Sequence, residues 1–146
     1  MPRDSRISVE EYHQMVKQNQ PHVLIDVRTE PEMEICSLNG SINVPFEEMQ
    51  TKASIEKIRS AINGHINSNR ESSKSTGDMD PVQIVLVCRR GNDSQVAAIL
   101  LKEQLSENPN TKTISTQQID KELLIQDIAG GLHTWAKRID PDFPIY

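Results

Sequence analysis

The stretch VQIVLVCRRGNDSQVAAILL, residues 82–101, decides the fold. Its first six residues, Val82–Val87, are β-prone and almost wholly apolar, which predicts a strand buried on both faces of a parallel sheet. Cys88 ends that run. CRRGND then reads as a tight turn. Val96, Ala97, Leu100 and Leu101 share one side of the following segment and predict a helix over residues 94–105. In parallel α/β folds ligand sites lie at the carboxyl ends of strands, and Cys88 stands at such an end.

Working outward, the same rhythm recurs. Upstream, HVLIDVR carries a β-prone run at Val23, Leu24 and Ile25. Before it, Ser8 and Glu11 form the S-x-x-E capping pattern of a helix start. Val9, Tyr12 and Val16 give that helix an inward face, and Pro21 predicts its end near Gln20. Residues 40–45, GSINVP, read as a second strand bounded by turn residues. Ile55, Ile58, Ile62 and Ile66 recur at spacings of three and four and predict a helix over 54–66. Downstream, Leu123–Ile128 reads as a strand, Gly130 and Gly131 as a turn, and residues 132–139 as a closing helix. Two polar segments, 67–81 and 106–120, read as exposed inserts rather than domain linkers, because strands and helices resume after each. Strands alternating with helices predict an α/β fold, a mainly parallel central sheet flanked by helices. The length of 146 residues suits one domain over 1–146.

Composition narrows the function classes. With one Trp, two Tyr and two Phe, the core must be built mainly from Ile, Val, Leu, Met and Ala. The net charge of -5 argues against a nucleic-acid surface, which needs a basic footprint. The longest apolar runs, IVLVC and AAILL, are far too short to span a membrane. No charged-then-apolar leader opens the sequence, so the two cysteines are expected as free thiols in a reducing compartment, the cytosol. His13, His22, His65 and His133 share no ligand spacing with Cys36 or Cys88, so no metal site is expected.

Cys88 has two readings from the residues alone. It is a small hydrophobe ending a buried strand, or it is a nucleophile. The second is favoured by its setting. A helix start carries unpaired N–H groups and a partial positive charge, and a turn containing Gly91 lets such donors converge on one point. Sulfur at that point is favoured as the thiolate, with Arg89 and Arg90 adding to the effect. Asn92, Asp93 and Ser94 are all N-cap residue types.

Four motifs carry a resemblance: LIDVR at 24–28, GSINVP at 40–45, CRRGNDS at 88–94 and DIAGGLHTW at 127–135. In this order they resemble the rhodanese family over nearly the whole chain. EIC at 34–36 and DPDFPIY at 140–146 are similar to one subgroup, the rhodanese domains of eukaryotic adenylyltransferase and sulfurtransferase proteins. Ser37 and Asn39 depart from the His and Pro common in the family. The resemblance implies a sulfurtransferase with Cys88 as the catalytic persulfide carrier, Arg89, Arg90, Gly91, Asn92, Asp93 and Ser94 as its active loop, and Asp26 and Arg28 in support. It implies a cysteine desulfurase as sulfur donor and a ubiquitin-like sulfur carrier as acceptor. The carrier's C-terminal glycine becomes a thiocarboxylate for molybdopterin synthesis and tRNA wobble-uridine thiolation. No cofactor is expected in this domain. ATP and zinc belong to the subgroup's adenylating domain, of which these residues contain nothing. No direct nucleic-acid or membrane partner is implied.

Two rival functions stand beside this one. A phosphatase on this fold needs an Arg six residues after the cysteine, and that position is Ser94. A non-catalytic module binding a ubiquitin-like protein is the stronger alternative. The remaining residues have modest expectations. Asp26 and Arg28 are expected to form a structural ion pair tying the first strand to the active loop. Arg89 and Arg90 are either exposed charges or guides for an anionic carrier tail. Cys36 is expected to be buried and inert rather than a sulfur relay or disulfide partner, and Trp135 is expected in the core. Asp93, a carboxylate at the loop's end, should repel a small dianion such as thiosulfate.

Overall fold

The computed structural model describes residues 6–72, 82–107 and 123–145. In chain order the elements are β1 (Arg6–Ile7), α1 (Val9–Lys17), β2 (Val23–Asp26), α2 (Glu30–Ile35), β3 (Ile42–Asn43), a 3-10 turn (Phe46–Glu48), α3 (Lys52–Ser72), β4 (Val82–Val87), α4 (Asn92–Glu107), β5 (Leu123–Ile128) and α5 (Gly131–Arg138). The five strands form one sheet in the order β1-β5-β4-β2-β3, and every pairing is parallel. The continuous apolar run of β4 therefore has the predicted cause: it is the central strand, covered on both sides.

Side chains of β4 alternate between two core layers, as the two-residue period of a strand requires. Ile84 and Leu86 face Ile58 and Ile62 of α3 and Ala97 and Leu101 of α4. Val85 and Val87 face Val9 and Tyr12 of α1 and Leu132 and Trp135 of α5. The register sets Asp26 opposite Val87 and Asp127 opposite Leu86. The carboxyl ends of three neighbouring strands thus bring Asp26, Cys88 and Asp127 to one edge of the sheet.

Several boundaries differ from expectation. The Ser8–Glu11 capping box forms. The helix it opens ends at Lys17, and Asn19, at φ 54°, turns the chain left-handed before Pro21 is reached. Its buried arc is centred on Tyr12 and takes Val9 and Met15 at i±3, leaving Val16 45% exposed. Helix α3 starts at Lys52 and continues through residues 67–72, where a loop was expected. Those six residues are polar but contain neither Pro nor Gly to stop the backbone. Residues 106 and 107, assigned to the second insert, close α4. The rest of both inserts, 73–81 and 108–120, lies outside the described residues.

Helix α4 starts two residues early, and it buries Ala98 while Val96 stays 46% exposed. Its VAAILL run is apolar on every side, so periodicity does not select a face. Strand β3 is Ile42–Asn43, inside the 40–45 stretch whose flanking residues were expected as turns. Helix α2 and strand β1 were not anticipated. Helix α2 had a readable signal, since Thr29 and Glu32 form a second capping box with Pro31 in the first turn. Among the described residues, no helix is long and apolar enough to cross a membrane.

Candidate active site

Cys88 directly follows β4 and is 4% exposed. Its Sγ receives the Gly91 N–H at 2.9 Å and the Ser94 N–H at 3.3 Å. The second donor has a simple origin. Helix α4 begins at Asn92, so Ser94 is its third residue, and its N–H has no partner inside the helix. Asn92, Asp93 and Ser94, all N-cap residue types, form the first turn with Gly91 preceding them, so the cap weighed for Asp93 is corrected to a first-turn place. Gly91 has φ +93°, and a Cβ there would lie 2.6 Å from the Gly130 N. Both its backbone angle and its surroundings exclude a side chain.

A polar chain runs beneath the sulfur. The Cys88 thiol faces the Ser94 Oγ at 3.4 Å, and the Ser94 hydroxyl donates to Asp127 Oδ2 at 2.8 Å. Asp127, at the end of β5, is wholly buried and receives Arg6 through Nε and Nη2, each at 3.1 Å. Arg6 Nη2 also donates to the Gly91 carbonyl at 2.6 Å. Neither Arg6 nor Asp127 was singled out from the sequence. The available signal was the charge of Asp127 inside a strand whose only other polar residue is Gln126.

The loop is also held from its other side. The Leu132 and His133 N–H groups, at the start of α5, donate to the carbonyls of Cys88 and Arg89, each at 2.9 Å. Gly131 permits this approach, since a Cβ there would sit 2.4 Å from the Cys88 oxygen.

Cys88 opens into a cavity of about 450 Å³. Val27, Pro45 and Phe46 give it an apolar wall, while Arg28, Arg89 and Arg90 bring cations and Glu32, Glu47 and Asp93 bring carboxylates. Asn92 also lines it. Arg90, Asn92 and Asp93 are exposed, and Arg89 is half-buried. Beside the loop, the His133 imidazole is held below its ordinary pKa, first by desolvation and then by Lys137, Arg90 and Arg89.

The expected ion pair forms at the end of β2, and the bonds that follow tie it to α2 where a tie to the active loop was expected. Arg28 Nη2 meets Asp26 Oδ2 at 2.8 Å, and both side chains are almost fully buried. Arg28 also donates to the Cys36 carbonyl at 2.6 Å and the Glu32 carbonyl at 3.3 Å, anchoring the end of α2. Arg28 lines the cavity and Asp26 does not. Cys36 is half-exposed rather than buried and does not line the cavity. Both cysteines are free thiols. Trp135 is in the core, as expected, packed edge-on against Tyr12.

The model of the rhodanese-like domain family matches residues 8–138. The chain belongs to this family. Among curated relatives, adenylyltransferase and sulfurtransferase MOCS3 of Drosophila persimilis is 38% identical over 143 residues, covering 98% of this chain and 25% of the relative. The protein of the same name from Xenopus laevis is 32% identical over 148 residues, covering 100% of this chain and 28% of the relative. This rhodanese-like domain thus spans about a quarter of the length of these relatives.

Solved structures agree on the fold. Ygr203w of Saccharomyces cerevisiae, described as a homolog of single-domain rhodanese and of the Cdc25 phosphatase catalytic domain, superposes with a TM-score of 0.62 at 13% identity, over 94% of this chain and 83% of that one. A rhodanese-related protein of Thermoplasma volcanium gives a TM-score of 0.55 at 23% identity, over 97% and 96%. The family and its sulfurtransferase relatives support sulfurtransferase activity in general terms.

Proposed function

We propose that this rhodanese-like domain carries sulfur as a persulfide on Cys88 and delivers it to the C-terminal glycine of a ubiquitin-like sulfur carrier. The observation that carries the reading is the pair of backbone N–H donors on Sγ, at 2.9 and 3.3 Å, at the end of the central strand. Fixed donors of this kind favour the thiolate, the nucleophilic form.

In the first step the Cys88 thiolate attacks the outer sulfur of a persulfide on a cysteine desulfurase. The donor's S–S bond breaks, the donor leaves as a thiolate, and Cys88 becomes a persulfide. In the second step the terminal persulfide sulfur attacks the acyl adenylate of the carrier, and AMP leaves. The product is an acyl disulfide on Cys88. A thiolate from a second cysteine then attacks the Cys88 sulfur, which releases the carrier thiocarboxylate and leaves a mixed disulfide. No step calls for a metal or a cofactor in this domain.

The cavity suits such an acceptor. An extended glycine-rich tail is slim enough to reach a sulfur that is 4% exposed, and Arg89 and Arg90 stand beside its anionic end. The reading further places the protein in the cytosol, with thiocarboxylate used in molybdopterin synthesis and tRNA thiolation.

Intact-protein mass spectrometry after incubation with a cysteine desulfurase and cysteine tests it. One added sulfur, lost on reduction and absent from Cys88→Ala, is the expected result. No uptake from this donor or from thiosulfate, together with carrier binding that Cys88→Ala leaves intact, would instead make the domain a binding module.

A further inference from the structure

The chain beneath Cys88 contains one hydrogen with two possible destinations. A serine hydroxyl has a single O–H donor. In the structure that hydrogen belongs to Asp127, because Ser94 Oγ lies 2.8 Å from Oδ2, and the oxygen's lone pairs are left facing Cys88 Sγ at 3.4 Å. This arrangement suits a thiol, whose S–H then has an acceptor. It does not suit a thiolate or a persulfide anion, which would face those lone pairs.

We propose that Ser94 is a positioning residue whose hydroxyl hydrogen follows the charge on Cys88. It rests on Asp127 while Cys88 is a thiol, and it rotates about Cβ–Oγ to the sulfur once the thiol proton has left through the cavity. No covalent bond of Ser94 breaks. Asp127 tolerates the loss because Arg6 continues to hold both of its oxygens, through Nε on Oδ1 and Nη2 on Oδ2. Arg6 also grips the Gly91 carbonyl, so the donor N–H of Gly91 and the carboxylate beneath Ser94 are fixed by one guanidinium. Ser94 and Asp127 are fully buried, so water offers no ready substitute for either bond.

Other charges also bear on the sulfur. Within the loop they are Arg89, Arg90 and Asp93. Across the cavity stand Arg28, Glu32 and Glu47, and His133 lies beside the loop carbonyls. All of these stay constant in the variants below.

The inference rests on reading Cys88 as the nucleophile, but its test needs no sulfur transfer. In a Cys36→Ser background, the rate of Cys88 alkylation by iodoacetamide is followed against pH. Ser94→Ala should move the profile to higher pH and slow alkylation about fivefold below its midpoint, the worth of one hydrogen bond. Asp127→Asn should move it to lower pH, since an amide donates to Ser94 Oγ and leaves the hydroxyl hydrogen for sulfur. Loss of charge alone would also lower it, so the double variant decides. If Ser94 transmits the effect, Asp127→Asn shifts the profile less in the Ser94→Ala background than in the parent. Equal shifts in both backgrounds would overturn the proposal.

So would an unchanged profile for Ser94→Ala, a variant that removes one oxygen and whose fold a thermal melt verifies. That comparison stands alone if Asp127→Asn fails to fold. Sulfur uptake is scored separately on the same proteins. Alkylation shifts in the variants, with a parent that takes up no sulfur, would sink the sulfurtransferase reading and leave this one standing.

Discussion

The chain places its two cysteines in opposite surroundings. Cys88 is nearly buried and accepts two backbone N–H groups at 2.9 and 3.3 Å. Cys36 is half-exposed at the end of the short helix α2, and among the described residues its sulfur meets an Arg28 nitrogen at 3.9 Å and the Pro144 carbonyl at 4.0 Å. The more accessible sulfur is the less prepared one. Thiolate chemistry depends on fixed donors around the sulfur, and the carboxyl end of a central strand followed by a helix start supplies them. Around Cys36 the polar groups have a different task. Arg28 is occupied with Asp26 and with the Cys36 and Glu32 carbonyls, so it secures the chain rather than the thiol.

The sharpest way to break this comparison is to remove each sulfur in turn. Cys88→Ala should abolish sulfur uptake from a persulfide donor, and Cys36→Ser should leave it unchanged, both read by intact mass. Loss of uptake in Cys36→Ser would make it a relay.

A second test addresses stability. Arg28→Met leaves Asp26 buried without its ion pair, and the loss should be about 3–5 kcal/mol in urea unfolding, since an uncompensated buried charge is costly. A loss under about 1 kcal/mol, the range of exposed pairs, would mean that the polar cluster near Cys36 is less structural than its geometry indicates.

The alternation of strand and helix was legible because β2, β4 and β5 are short and mainly apolar. The Cys88 loop was legible because strand, Cys, Gly and helix start lie within one stretch. What lay beyond the sequence was mostly long-range. Arg6 and Asp127 are 121 positions apart and meet only because the two-residue β1 pairs with β5. No local pattern marks a two-residue strand. The buried face of α4 was ambiguous for another reason, since Val96, Ala97, Ala98, Ile99 and Leu100 leave no polar side to orient it. Helix α2 was the avoidable omission, with its Thr29–Glu32 cap in plain view.

Returning to the sulfurs, charge at the mouth should select what reaches Cys88. Asp93 is exposed and lines the cavity, and a carboxylate in that position is expected to oppose a dianion. Asp93→Thr should raise thiosulfate:cyanide sulfurtransferase turnover on the order of tenfold, equivalent to about 1.4 kcal/mol of relieved repulsion. The gain should shrink as salt screens the charge. Turnover that does not change would remove Asp93 as the cause of any discrimination against thiosulfate.

The smallest effect concerns His133, which touches only the Cys88 side of the comparison through its N–H on the Arg89 carbonyl. Its pKa is lowered in the fold, by desolvation first and then by Lys137, Arg90 and Arg89. An unfolded chain returns it to about 6.5. As pH falls below that value, the unfolded state takes up the proton before the folded one does, so the unfolded state is favoured. His133 therefore contributes stability that is complete above its unfolded pKa and is lost as pH falls through its folded pKa. Unfolding measured at pH 7 and pH 5 should show less acid destabilisation in His133→Gln than in the parent. Cys36→Ser, measured alongside, should retain the parent's full pH dependence. Equal acid sensitivity in His133→Gln and the parent would show that the cluster of His133, Lys137, Arg89 and Arg90 does not couple to folding.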